Sequence, residues 1–120
     1  MSTTFTPPAL LHIDTRCPPG GTAHVALIGE IDLSNADGLR ASLLEVLFAR
    51  HPDRIEVDLA GVTFMSCGGL SALVGVGNVA TRTACQLRIK YPQPVVRRVL
   101  ELTGLLGVLT AGYDQVRPRN

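Results

Sequence analysis

Ser66 and Cys67 are the residues with most chemistry to offer in this 120-residue chain. A hydroxyl and a thiol stand side by side in Phe64-Met65-Ser66-Cys67-Gly68-Gly69-Leu70, between an alternating apolar run and a helical one. Ile55, Val57 and Leu59 alternate with Arg54, Glu56 and Asp58, the period of a strand with one buried face. A short loop follows, in which two glycines permit a tight turn and leave amide N–H groups uncovered. An apolar helical run starts at Leu70. A strand end that feeds a helix N terminus is a frequent place for a binding site or a switch. Ser66 could cap that helix or be an ordinary loop residue. Cys67 is either a plain packing thiol or one activated by the helix end and open to oxidation.

Other chemistries fail on their requirements. Asp58 at a strand end would suit a phosphate-accepting aspartate only with an acidic pair after an earlier strand and a basic residue after a later one, to hold Mg²⁺ and phosphate. Neither is present in the pattern. His12 and His24 read as solvent-facing or hydrogen-bonded strand residues, because no acidic or thiol group is spaced to share a metal with them. The three cysteines, Cys17, Cys67 and Cys85, form no metal spacing and read as free thiols. No nucleophile–base pair or carboxylate pair can be assembled. The residues therefore offer no enzyme site, and no metal or cofactor is expected.

The elements that must position this stretch follow from periodicity. Leu10 to Thr15 alternates and reads as a half-exposed strand. Cys17-Pro18-Pro19-Gly20-Gly21 is a turn by composition. Thr22 to Gly29 returns antiparallel to it, and its apolar residues at both parities mark it as central. A helix is expected from about Asn35 to Arg50, with Ala36, Leu39, Leu43 and Val46/Leu47 as its buried stripe. Ser34 is the expected cap, with Asp32 as the alternative, and His51-Pro52-Asp53 stops the helix. After the Arg54–Leu59 strand and its loop, a second helix is expected from about Gly69 to Arg82. Leu73, Val76 and Ala80 should face the sheet. Its apolar arc is wider than one sheet face requires, so either neighbouring helices cover the flanks, or Leu70 and Val74 border a partner surface. Gly75 and Gly77 each cost such a helix roughly 1 kcal/mol relative to Ala, which points to close packing there. Gln86–Lys90 is a further strand, Val95–Thr103 a third helix ended by Gly104, and Leu106–Thr110 a last short strand. Polar residues on one side of three strands imply helices over one sheet face only.

Composition narrows the class further. Eleven basic residues against ten acidic, without a basic run, give no electrostatic footprint for nucleic acid. No apolar run is long enough to span a bilayer. The N-terminal residues lack the pattern of a secretory signal, so a cytoplasmic protein is expected.

Three blocks carry a family resemblance. Asp58-Leu59-Ala60-Gly61-Val62-Thr63-Phe64-Met65 with Gly69-Leu70 is similar to the central signature of STAS domains, D-L-S-x-V-x-F-hydrophobic-D-S-S-G-L. Gly29-Glu30-Ile31-Asp32 with Ala36 and Leu39, and Val99-Leu100-Glu101-Leu102-Thr103-Gly104-Leu105, resemble two further family blocks in the right order. The family includes bacterial anti-sigma factor antagonists and the cytoplasmic domains of sulfate transporters. The resemblance implies one α/β domain over residues 10–112, a mixed β-sheet of about four or five strands with helices packed mainly on one face. Residues 1–9 and 113–120 are then a flexible and a weakly ordered tail.

The resemblance also implies a function. An antagonist binds an anti-sigma factor of the serine-kinase type and so releases a sigma factor for transcription. The kinase phosphorylates a serine just before the Gly-Leu, and the added charge of about −1.5 to −2 ends docking. This chain has Ser66-Cys67-Gly68 where the pattern has D-S-S, so the acceptor position is Gly68, without a hydroxyl. Docking without phospho-control is the favoured reading; a phosphate on Ser66 or thiol control through Cys67 are the alternatives. The implied partner surface comprises Glu30, Asp32, Ser66, Cys67, Gly68, Gly69, Leu70 and Val74. No direct nucleic-acid contact or membrane insertion is expected, and a weak homodimer is a further expectation. The competing reading is a STAS module of a transporter or a stressosome-like assembly, which the short chain and absent membrane span disfavour.

Overall fold

The computed structural model describes residues 10–102. The two tails expected from the sequence, the Leu106–Thr110 strand, Gly104 and the end of the third helix lie outside these residues. Seven elements follow one another: β1 (Leu11–Arg16), β2 (Thr22–Ile31), α1 (Leu33–Arg50), β3 (Arg54–Met65), α2 (Cys67–Arg82), β4 (Gln86–Lys90) and α3 (Pro94–Leu102). The strands form one sheet in the order β1-β2-β3-β4. β1 runs antiparallel to β2, whereas β2–β3 and β3–β4 are parallel and are joined through α1 and α2. The fold is thus the mixed sheet expected, with β2 in a central position.

Alternation decides which face is covered. Ala23, Val25 and Leu27 of β2, Ile55, Val57 and Leu59 of β3, and Leu87 and Ile89 of β4 point into one core. α1 contributes Leu39, Leu43 and Leu47, α2 contributes Leu70, Leu73, Val76 and Ala80, and α3 contributes Val96 and Leu100. Each fully buried Leu, Ile or Val side chain contributes roughly 1.5–3 kcal/mol of burial energy. The core is aliphatic, as the scarcity of aromatics requires.

The opposite sheet face is open and polar. Glu56 sits at its centre, its side chain 13% exposed, within 3.4 Å of His24 Nδ1, 3.5 Å of Arg54 and 3.3 Å of Lys90 Nζ. These groups lie on three adjacent strands, so the carboxylate ties β2, β3 and β4 together across the face. Burial pulls the Lys90 ammonium down, but the hydrogen bond and charge of Glu56 together with Tyr91 outweigh it and the net shift is upward. A raised lysine stabilises the fold below its ordinary range and loses that contribution as pH rises through the folded value.

Two expectations are corrected. The loop placed after Leu59 is strand: β3 continues to Met65. Its pairing with β2 shifts twice, between Ala26 and Ile28 and again between Gly29 and Glu30. Each shift inserts one extra residue on β3. Buried positions therefore fall three apart, at Leu59, Val62 and Met65, and the period-2 signal breaks. Asp58 Oδ1 accepts the Ala60 N–H at 2.8 Å inside the first irregularity, which gives this aspartate a local structural role. The second correction is the α1 cap. Asp32, not Ser34, holds it, and the helix starts at Leu33. α1 does end at His51, whose left-handed conformation (φ 48°) closes the C terminus.

Close packing does not explain Gly75. A Cβ there would meet no atom nearer than Arg40 Nε at 4.0 Å. Gly75→Ala should therefore raise stability by about 0.5–1 kcal/mol, read as a higher denaturant midpoint at unchanged slope.

Candidate docking site

Two helix N termini converge where parallel strands β2 and β3 end. Ile31 and Met65 pair as the last residues of the two strands, and the Ser66 N–H then donates to the Ile31 carbonyl at 2.8 Å. α1 begins one residue after Asp32 and α2 one residue after Ser66. Parallel strands joined by helices make this convergence unavoidable, and the outer end of such strands is the usual binding region.

Asp32 is fixed by a reciprocal cap. Its Oδ1 accepts from the Ser34 N–H at 2.8 Å and the Ser34 hydroxyl at 2.6 Å, while Asn35 Oδ1 accepts the Asp32 N–H at 3.0 Å. Asn35 also donates to the Glu30 carbonyl at 2.8 Å, which holds the exit of β2. The hydrogen bond from the Ser34 hydroxyl lowers the Asp32 pKa most; burial opposes it, and the backbone N–H groups add to the lowering. A depressed carboxylate supports the fold above its ordinary range and ceases to as pH falls through the folded value. Asp32→Asn should flatten the acid limb of a thermal-melt pH series. An unchanged limb would mean that the cap is not titrating there.

Ser66 is the N-cap of α2. Its Oγ accepts the Gly69 N–H at 3.2 Å, and its carbonyl accepts the Leu70 N–H at 3.0 Å. The side chain is therefore committed to the helix end. Cys67 opens α2 and is exposed, whereas Cys85 is buried, and burial together with the Asp53 charge pushes its thiol up. Gly69 is buried with its Cα side pressed on Ile31, so a Cβ there would drive into that side chain.

Gly68 has a different neighbour. A Cβ at this position would lie 2.5 Å from Leu33 Cδ1, and 3.6 Å from Ser66 Oγ. Leu33, the first residue of α1, thus rests over the place where the family pattern has its acceptor serine. It is itself 80% exposed, and Phe64 at the end of β3 is 46% exposed. Cys67 and Glu30 are also exposed, so apolar and acidic groups share the rim.

The residues singled out in the sequence divide accordingly. Glu30, Asp32, Ser66, Cys67, Gly68 and Gly69 cluster at the two helix starts. Leu70 does not border a surface: it is 4% exposed and part of the core, so on that flank of α2 neighbouring elements account for the wide apolar arc. Val74 is half-buried against the same core. Leu33 was missed because its contact with Gly68 crosses from one helix to the other. A large apolar residue between the Asp32 cap and the polar first turn was the signal available. Phe64 was read only as part of a motif, and its exposure follows from the bulges in β3.

No base lies within the described hydrogen bonds of Ser66, and no group of three His, Cys, Asp or Glu side chains fit for a metal occurs among the described residues. What the described residues bring together is the starts of two helices, with Glu30, Leu33, Phe64 and Cys67 exposed around them, at one end of an α/β sheet. The chain belongs to the STAS domain family, whose model matches residues 12–117. It is similar to the anti-sigma F factor antagonist of Paenibacillus polymyxa, 27% identical over 94 residues that span 78% of this chain and 80% of the relative. The antagonist of the same name from Lysinibacillus sphaericus is 24% identical over 79% of this chain and 81% of its own. Among solved structures, unphosphorylated SpoIIAA, an anti-sigma factor antagonist, shares the fold with a TM-score of 0.73 at 22% identity, over 91% of this chain and all (100%) of that one. An anti-sigma factor antagonist from Mycobacterium paratuberculosis gives 0.72 at 24% identity, covering 88% and 90% of the two chains. SLC26A9 contains the same fold, with a TM-score of 0.61 at 14% identity over 80% of this chain and 19% of its own. No helix among the described residues is long and apolar enough to cross a membrane.

Proposed function

We propose that this chain is an anti-sigma factor antagonist that works without the serine switch. It binds a kinase-type anti-sigma factor in the cytoplasm and frees the sigma factor that the partner holds. It acts as a binding protein and catalyses nothing itself. The observation that carries the reading is Gly68 with Leu33 laid over it, in a cluster whose flanking sequence blocks resemble the STAS signature. A kinase that docks here meets no hydroxyl at the acceptor position. Ser66 is turned into its own helix by the bond from Gly69. The partner surface on this reading is Glu30, Leu33, Phe64, Cys67 and Gly68 at the rim, with Asp32, Ser66, Gly69, Leu70 and Val74 fixing its shape from beneath. Oxidation or alkylation of Cys67 would place bulk on that surface and weaken docking.

Supporting this reading are two antagonists similar over about four-fifths of their lengths. The test is a titration against each kinase-type anti-sigma factor of the source organism, preloaded with its sigma factor. A one-to-one complex with release of the sigma factor is the expected result. Stable binding to none of them would move the assignment to an interaction module of a transporter or signalling assembly.

A further inference from the structure

Among the described residues β1 is an edge strand whose outer backbone is unpaired, and its sequence is self-complementary. The Glu30 N–H donates to the Leu10 carbonyl at 3.1 Å, which fixes the phase of the β1–β2 ladder. In an antiparallel ladder alternate residues turn their N–H and C=O to the same side. Leu10, His12, Asp14 and Arg16 therefore bond toward β2, and Leu11, Ile13 and Thr15 present theirs outward. Natural edges are blunted by Pro, Lys, a bulge or a covering segment. β1 contains no Pro, Lys or bulge between Leu11 and Arg16. Beside it, a groove of about 470 Å³ separates β1 from α1, lined by the apolar Ile13, Cys17 and Val46 and by the polar Ser42, Glu45 and Arg50. Ile13 and Cys17 are left half-buried there.

We propose that β1 is the interface of a two-fold homodimer, in which the β1 strands of two copies pair antiparallel about Ile13. This register sets Ile13 against Ile13 and Leu11 against Thr15 on the helix-covered side. It sets His12 of each copy against Asp14 of the other on the polar side, a favourable cross-strand pair made twice. All three outward amides on each copy find a carbonyl. Centring on Asp14 would oppose two aspartates and place His12 against Arg16. Centring on Thr15 also matches charges, as Asp14 with Arg16, but leaves Leu11 unpaired. Among the described residues the other edge is β4, Gln86–Lys90, which offers no acid to set against the Arg88 of a second copy. Counting the described residues, the dimer extends the sheet from four strands to eight and brings a second Ile13 over the groove. A contact built on one strand from each copy buries less than a standard interface, so the association is weak.

Sedimentation equilibrium from micromolar to millimolar protein, paired with amide exchange at both ends of that range, tests it. The mass should climb from 12.8 kDa toward twice that value. The amides of Leu11, Ile13 and Thr15 should gain protection at least tenfold with concentration, while those of His12, Asp14 and Arg16 stay protected throughout. Thr15→Pro, which removes an outward donor at an exposed position, and Asp14→Lys, which turns both His12 pairs unfavourable, should each hold the protein monomeric with an unchanged melt. A single-chain mass at every concentration would overturn the proposal. So would a dimer in which these three amides exchange freely, or one that both variants leave intact. Protection of the same amides at every concentration would overturn it too, because another segment would then cover the edge.

Discussion

Gly68→Ser should turn this chain into a substrate of a kinase-type partner. The new Cβ would meet Leu33 Cδ1 at 2.5 Å, too close to stand unrelieved. Leu33 Cδ1 is the free end of an 80% exposed side chain, so rotating it away costs little. The serine would occupy the second residue of α2, where a phosphate faces uncovered amides and the positive end of the helix dipole. Replacing glycine inside a helix also favours the fold slightly. Incubated with the partner and ATP, the variant should gain the mass of one phosphate, and its affinity should fall at least tenfold as about −1.5 to −2 charges enter the interface. Wild type under the same conditions should gain nothing. A variant that binds as wild type does and still takes no phosphate would mean that the partner meets the chain in another orientation.

Leu33→Asp should abolish docking without harming the fold. Leu33 is the most exposed large apolar side chain beside Gly68, and buried apolar anchors dominate protein interfaces. Burying a carboxylate without a partner in its place is strongly unfavourable. A loss of affinity of at least 100-fold is expected, equivalent to about 2.7 kcal/mol. Stability should hold or rise, because an acidic residue at the first position of α1 suits the helix dipole. Calorimetric titration and a thermal melt on one preparation separate the two effects. Retained affinity would place the interface elsewhere; a lowered melt would show that Leu33 supports the fold itself.

How much of this was legible in the sequence depended on whether a feature was local. The Ile55–Leu59 strand showed itself because one residue in two was apolar and one face was wet. Residues 60–65 hid their strand, since two insertions against β2 moved the buried positions to Leu59, Val62 and Met65. Helix α1 was visible as Ala36, Leu39, Leu43 and Leu47, but its start was displaced. Ser34 looks like a cap on its own, and only the reciprocal bonds between Asp32 and Asn35 decide the matter. The gap at Gly68 could be read from motif alignment. That Leu33 fills it could not, because the contact joins the starts of two helices that lie more than thirty positions apart, and only the parallel pairing of β2 and β3 brings them together. The Glu56 cluster was hidden for the same reason: His24 and Lys90 reach it across strands, not along one.

On the proposed function, this surface docks a kinase-type anti-sigma factor with no hydroxyl where the kinase expects one. The most direct measurement follows the complex by native mass with ADP and then with ATP, and follows the chain by intact mass in the same samples. The complex should persist in ATP, and the chain should carry no added phosphate. A complex that dissolves in ATP, with one phosphate mapped to Ser66, would contradict it.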